Sequence, residues 1–362
     1  LVAALGWFWF QRGYWSEAWR WTGRCLENTA EVDPLLRARV IYATGSIEII
    51  RGNLNPLEPL LVESLKACRA ARDQPGEAWS LHYQGHALGW VGSPEAGVLM
   101  RQSLEIFERL GDRWAEAWSW RYIGQFEEPT DADTSIALQT KALDRFFELG
   151  DRWNAAFSLY LIGTTHITLG RFEEAEAAER KAVELATEMG DVIWRTHATG
   201  RLGMIAYYRG DESAAPMLEE GVELHRRIGD ENCTAILLGY QGLLACRHES
   251  WVEAVARLAE SLELWRRLAY QAAMAGYLGR FAAAVTGGGS PEEGAILFGA
   301  SDTPEFADLL KSNLYAKDRE TLKDRLRSEL GEAEFERLTA EGASLGVEAA
   351  VDRAIARRIT RG

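Results

Sequence analysis

RLGDRWAEAWSWRYIG, residues 109–124, is followed 39 residues later by ELGDRWNAAFSLYLIG, residues 148–163. Both stretches carry Gly-Asp-Arg-Trp, and both end on a glycine twelve positions after the aspartate. Stepping from Gly124 by 39 or 40 residues in each direction lands on Gly6, Gly45, Gly85, Gly163, Gly203 and Gly242. The same steps align Gly111, Gly150, Gly190 and Gly229, each followed by Asp, and they align Trp79, Trp118 and Phe157. A fixed period of this length marks a repeat architecture, because each unit is one supersecondary element that buries its apolar stripe only against its neighbours.

Each unit reads as helix, short turn, helix. AAFSLYLIGTTHITLGRFEEA at 155–175 is apolar at helical spacing and runs into a turn, and FEEAEAAERKAVELATEMGD at 172–191 places Ala175, Ala178, Ala182, Leu185 and Met189 on one face. The closing Gly-Asp supplies a left-handed stop followed by a cap for the next helix. A glycine inside the first helix lets its partner approach closely, and Ala18, Gly97, Ala175, Ala215 and Ala254 are the small residues expected opposite. About seven such units span residues 1 to about 285, and the expected fold is all-α, a right-handed α-solenoid. TGGGSP at 286–291 is turn chemistry, so the expected division is a repeat domain over 1–285 and a helical capping segment over 286–362. FEEPTDADTS at 126–135 replaces the usual turn, which predicts a local break there.

At these residues the sequence resembles the tetratricopeptide repeat. GRFEEA at 170–175, echoed by RGYWSEA at 12–18 and HESWVEA at 248–254, is similar to that family's inter-helix turn, and the longer period matches its long-repeat, MalT-like variants in large bacterial regulators. The opening WFWFQRGYWSEAWRW and the runs EEGAILFGASDTPEF and LKDRLRSELGEAEFERLTAEGASLGVEAAVDRAI resemble the helical sensor regions of bacterial STAND-type ATPase and LuxR-like transcription regulators. The resemblance implies a sensor in signal transduction that recognises a protein, peptide or small-molecule effector, works with an upstream nucleotide-binding domain, and is not an enzyme. No GxxxxGK[ST] loop is present in this chain, and its first residue, which is not Met, is read as the edge of something longer.

Composition narrows the alternatives. Apolar residues make up 47% and charged residues 26%, the balance of a folded chain. Forty basic against fifty-four acidic residues give a net charge of −14, which opposes direct contact with nucleic acid or anionic membrane. The ten-residue apolar start, LVAALGWFWF, is too short to span a bilayer. Cys25, Cys68, Cys233 and Cys246 form no CxxC pair, which fits a reducing cytoplasm and gives neither a disulfide nor a zinc framework. No cofactor is expected.

Fourteen tryptophans are the compositional anomaly. Projecting six and three residues before, and one and four after, each repeat glycine predicts the inner face of the array. The ligand-binding candidates are Arg39, Tyr42, Trp79, His82, His86, Trp118, Arg121, Gln125, Phe157, Tyr160, His197 and Tyr207, with Thr164 and Met204 beside them. Aromatic rings with convergent Arg, His and amide groups suit a binding face. The competing reading makes the rings packing residues, with Trp7, Trp9, Trp120 and Trp153 in the core, and pairs Arg39 and Arg121 with neighbouring acids. His82 and His86 share a face, but no third metal ligand stands at suitable spacing, so no metal is expected. A free-standing peptide-binding scaffold is the second functional reading. A helical-repeat carbohydrate hydrolase is the third, disfavoured because Glu77 and Glu116 are repeat equivalents rather than a unique catalytic pair.

Overall fold

The computed structural model describes residues 1–28, 33–50, 54–90, 93–127, 132–302 and 313–359. Among them twenty helices follow one another, with no strand. The chain forms two compact units, Leu1–Thr165 with Lys181–Arg195, and His166–Arg180 with Thr196–Gly362. Among the described residues, no helix is long and apolar enough to cross a membrane.

The first unit begins with α1 (Val2–Arg12), α2 (Trp15–Asn28), α3 (Pro34–Ala43), α4 (Gly45–Ile50) and α5 (Leu54–Ala71). It continues with α6 (Gln74–Trp90), α7 (Glu95–Leu110), α8 (Arg113–Glu127), α9 (Ala132–Glu148) and most of α10 (Arg152–Thr168). The second helix of each pair is amphipathic. In α7, Ala96, Met100, Ser103, Ile106 and Phe107 are buried at helical spacing while Glu and Arg face water. Helix α6 packs on α7, and α8 on α9. The expected break at 126–135 centres on residues 128–131, which lie outside the described residues, as does Asp131.

The second unit takes the end of α10 and the first half of α11 (Phe172–Met189), then most of α12 (Val192–Arg209), α13 (Ala214–Ile228), α14 (Glu231–Arg247) and α15 (Trp251–Arg267). Helices α16 (Gln271–Gly287) and α17 (Pro291–Ser301) pack together like the pairs before them. Residues 288–290 form the turn between them. The chain then continues through α18 (Asn313–Leu330), α19 (Glu332–Leu345) and α20 (Val347–Ile359). Helices α17 and α19 cross at Gly299 and Gly342, where a Cβ would strike the Thr339 and Ile296 carbonyls. Arg353 Nε and Nη2 donate to the two carboxylate oxygens of Glu293 at 2.8 and 2.6 Å, fastening α20 to α17.

The repeat signals act as their chemistry requires. Gly111, Gly150, Gly190 and Gly229 all take φ between 65 and 74°, a left-handed stop that any other residue would adopt at a cost. The aspartate after each caps the next helix: Asp112, Asp151, Asp191 and Asp230 Oδ1 accept from the backbone N–H of Ala115, Asn154, Trp194 and Cys233 at 2.8–3.0 Å. Gly85, Gly124, Gly203 and Gly242 seat the first helix on the second of the same pair, against residues around Ala96, Ser135, Leu218 and Leu258. Ala18, Ala175 and Ala254 are buried as expected, but Ala96 and Ala214 are buried where Gly97 and Ala215 were expected. One residue of difference in the preceding turn rotates those two helices by about 100° per residue.

Helix α1 departs from the pattern. Its Gly6 abuts the Ala43 carbonyl of α3, and Gly45 abuts the Tyr83 ring of α6, so these two glycines serve contacts other than the one expected within their own pairs.

Candidate functional site

In the first unit, α6, α8 and α10 present a continuous band of rings. Trp79 stacks on Tyr83 at 5.6 Å between ring centroids and meets Phe107 at 4.9 Å. Trp118 stacks on Trp114 at 5.2 Å, and Phe157 stacks on Trp194 at 4.3 Å. Helix α1 is laid on this band. Its Trp7 ring meets Trp114, Trp118 and Trp153 at 5.0, 5.1 and 5.7 Å, and Phe10 meets Trp118 and Trp153 at 5.9 and 5.5 Å. Edge-to-face contacts of this kind stabilise beyond the area they bury. They leave Trp118 fully buried, Trp79, Trp7 and Trp153 half-buried, and Trp9 and Trp120 in the core.

Arg121 lies at the centre. Its guanidinium sits 4.2 Å from the Trp118 ring centroid and 4.1 Å from that of Phe157, with Tyr122 and Phe146 at 5.1 and 5.3 Å. Nη1 donates to Asn154 Oδ1 at 3.0 Å, and Asn154 Nδ2 in turn donates to Asp151 Oδ2 at 2.7 Å. Nε and Nη2 are buried without a hydrogen-bond partner, and among the described residues no carboxylate forms an ion pair with Arg121. Burial pulls its pKa down to about 10, against the pull of Tyr122 and Asp151 upward. The cation is held by ring faces and by an acid one side chain removed, so it keeps unused donor capacity.

Beside it, Trp118 Nε1 donates to His82 Nε2 at 3.0 Å, which requires a neutral imidazole with its proton on Nδ1. Burial, and then the Arg121 charge, push His82 down to about 3. His86 is lowered well below its ordinary value by burial, then by His82 and Arg121, and its ring lies 4.1 Å from that of Tyr122.

The other candidates are spread more widely. Arg39 is exposed and pairs with Asp73 at 3.3 Å, and Tyr42 is half-buried. Gln125, Tyr160 and Thr164 are half-buried near the band, with Thr164 Oγ1 donating to the Tyr160 carbonyl at 2.9 Å. His197, Met204 and Tyr207 lie in the second unit and are buried. Arg247 stacks 4.1 Å from the Tyr207 ring and donates to its carbonyl at 2.8 Å.

The second unit also holds a group that the linear sequence hides. His197, His225, Asp230 and Cys233 bring one ligand atom each within 4.8 Å of one another. Their spacing of 28, 5 and 3 residues matches no metal motif. The repeat register is the signal that exposes them, since three of the four stand where neighbouring repeats carry mostly aromatic or small residues.

No family model matches the sequence, and no curated protein matches it. Among solved structures, the chain is similar to that of a Rap protein complexed with Competence and Sporulation Factor, over 99% of this chain and 98% of the other, with a TM-score of 0.62 at 14% identity. A signal transduction ATPase with numerous domains (STAND) protein with a tetratricopeptide repeat sensor, PH0952 from Pyrococcus horikoshii, aligns over 86% of this chain and 46% of the other, with a TM-score of 0.49 at 16% identity. BtubC (BKLC) from P. vanneervenii aligns over 64% of this chain and 88% of the other, with a TM-score of 0.46 at 17% identity. The likeness to the Rap protein is one of fold, and the fold is the all-α tetratricopeptide-type repeat.

Proposed function

We propose that the chain is the recognition region of a bacterial STAND-type signalling regulator, binding a protein or peptide segment on the ring-lined face of α6, α8 and α10. The observation that carries this reading is Arg121. A guanidinium taken fully out of water with two donor nitrogens unused is costly, and a partner carboxylate would repay that cost with a charge-assisted hydrogen bond. Trp79, His82, His86, Trp118, Gln125, Phe157 and Tyr160 frame the same face, with Arg39 and Tyr42 at its α3 end.

Trp7 and Phe10 of α1 cover Trp118, so α1 is the segment that yields when the partner docks. The cost of parting those rings sets the threshold for the signal. The resemblance of the opening and C-terminal runs to STAND-type sensor regions supports the signalling role, and the fold shared with the Rap protein complexed with Competence and Sporulation Factor is consistent with it.

Selection from a random short-peptide library on the immobilised chain tests the reading. Enriched sequences should share a carboxylate, and they should bind Trp7→Ala more tightly than the native chain because the covering ring is gone. Enrichment without any acidic feature, or equal binding by Trp7→Ala, would sink it.

A further inference from the structure

We propose that His197, His225, Asp230 and Cys233 form a closed four-ligand zinc site that ties α12, α13 and α14 together. This goes beyond the reading of the first unit and does not depend on it.

The distances fit. Tetrahedral zinc with its usual bonds to nitrogen, oxygen and sulfur sets ligand-to-ligand edges of about 3.3–3.6 Å. Here Asp230 Oδ2 lies 3.3 Å from His225 Nδ1 and 3.6 Å from His197 Nε2, and one ligand atom from each of the four residues lies within 4.8 Å of the others. Cys233 Sγ now approaches the other edge of the His197 ring, 3.5 Å from Nδ1, so closing the tetrahedron takes a turn of that side chain. Asp230 is divided between two tasks. Its Oδ1 caps α14 through the Cys233 N–H at 2.9 Å, which orients the carboxylate and leaves Oδ2 facing both imidazoles. His225 Nδ1 is buried without a hydrogen bond, and its Nε2 edge faces Gly200, where a Cβ would come within 3.2 Å of it. The nitrogen faces Asp230 Oδ2, and the glycine makes room for the ring that carries it.

The repeat supplies an independent control. Seventy-nine residues earlier, the same four stations hold Trp118, Phe146, Asp151 and Asn154, and in the intervening repeat they hold Phe157, Ala186, Asp191 and Trp194. Only the capping aspartate is constant. The two imidazoles and the thiol are departures from what the scaffold needs, and all three are of the residue types that bind zinc.

The charges also close. The two positive charges of zinc would be balanced by Asp230 and a Cys233 thiolate. On binding, the S–H bond breaks, sulfur donates to zinc, and the proton leaves to solvent. Four protein ligands leave no position for water, so the role is structural.

Cobalt titration of the metal-free chain tests this. One equivalent should give the intense visible bands of tetrahedral Co2+ together with a sulfur-to-metal charge-transfer band, and Zn2+ should displace it stoichiometrically. Cys233→Ser should remove the charge-transfer band. His197→Phe, which installs the residue that Phe157 supplies one repeat earlier, should keep the helical circular dichroism and weaken binding at least about 10-fold. An octahedral spectrum, or a tetrahedral one that survives both substitutions, would overturn the assignment.

Discussion

The Arg121 station of the first unit and the His197 station of the second are built on the same frame, 79 residues apart. In the first, Trp118, Phe146 and Asn154 surround a guanidinium, and Asp151 Oδ2 is occupied by the Trp114 and Asn154 donors, each at 2.7 Å. In the second, the residue equivalent to Arg121 is Gly200, the lining residues are His197, His225 and Cys233, and Asp230 Oδ2 faces the two imidazoles. One side chain deleted and three exchanged separate the station proposed to receive a negative group from the one proposed to receive a positive one. In both, one aspartate oxygen caps a helix and the other turns to the residues that line the station.

The largest effect that sharpens this contrast is at the ring station. Trp118→Ala should destabilise the first unit by about 3–5 kcal/mol, through a cavity under α1 and the lost bond to His82. His197→Ala in metal-free protein should cost clearly less, because the smaller imidazole leaves a smaller hole. Denaturant titration of both variants checks this, and equal losses would break the distinction between a packing station and a ligand station.

Next comes the shared aspartate. Asp151→Ala should cost about 2 kcal/mol, from a lost cap together with the half-buried Trp114 and buried Asn154 donors left unpaired. Metal-free Asp230→Ala should lose the cap, about 1 kcal/mol, together with the contacts of Oδ2 with the two imidazoles. Thermal unfolding with added Zn2+ should widen the gap between native chain and Asp230→Ala, and should leave Asp151→Ala parallel to native.

Acid should act on the ring station through His82. An unfolded imidazole takes its proton near pH 6.5, whereas folded His82 resists until about pH 3. Between those values the unfolded state binds more protons, so stability falls as pH drops through the window. His82→Gln keeps an acceptor for Trp118 and should flatten the slope of stability by one proton, about 1.4 kcal/mol per pH unit. A slope unchanged by the substitution would show that His82 is not the group responsible.

Much of the frame was legible in the sequence because glycine and aspartate act locally. Gly111 and Gly150 stop helices by their own φ, and the Asp that follows caps the next helix by its own side chain, so period and turn chemistry predict both. What glycine cannot specify is its partner. Gly6 keeps the register of Gly124, yet it meets α3 because α1 is drawn across the rings of α8 and α10. Arg121 was legible as a candidate from its offset, but its isolation from carboxylates depends on Asn154 standing between it and Asp151, a contact between repeats. The His197 group was missed for a related reason. Its members come from three helices, and only a comparison at two-repeat offset shows them to be exceptions.

The smallest stability effect belongs to the most consequential residue. Arg121→Met keeps length and ring contact while removing a charge without an ion-pair partner, so stability should change by no more than about 1 kcal/mol. Binding should not be spared. A double-mutant cycle between Arg121→Met and amidation of the carboxylate in the tightest selected peptide tests the receptor most directly. The account predicts that either change alone weakens binding about 10- to 100-fold and that the second then adds little. Two losses that simply multiply would contradict it.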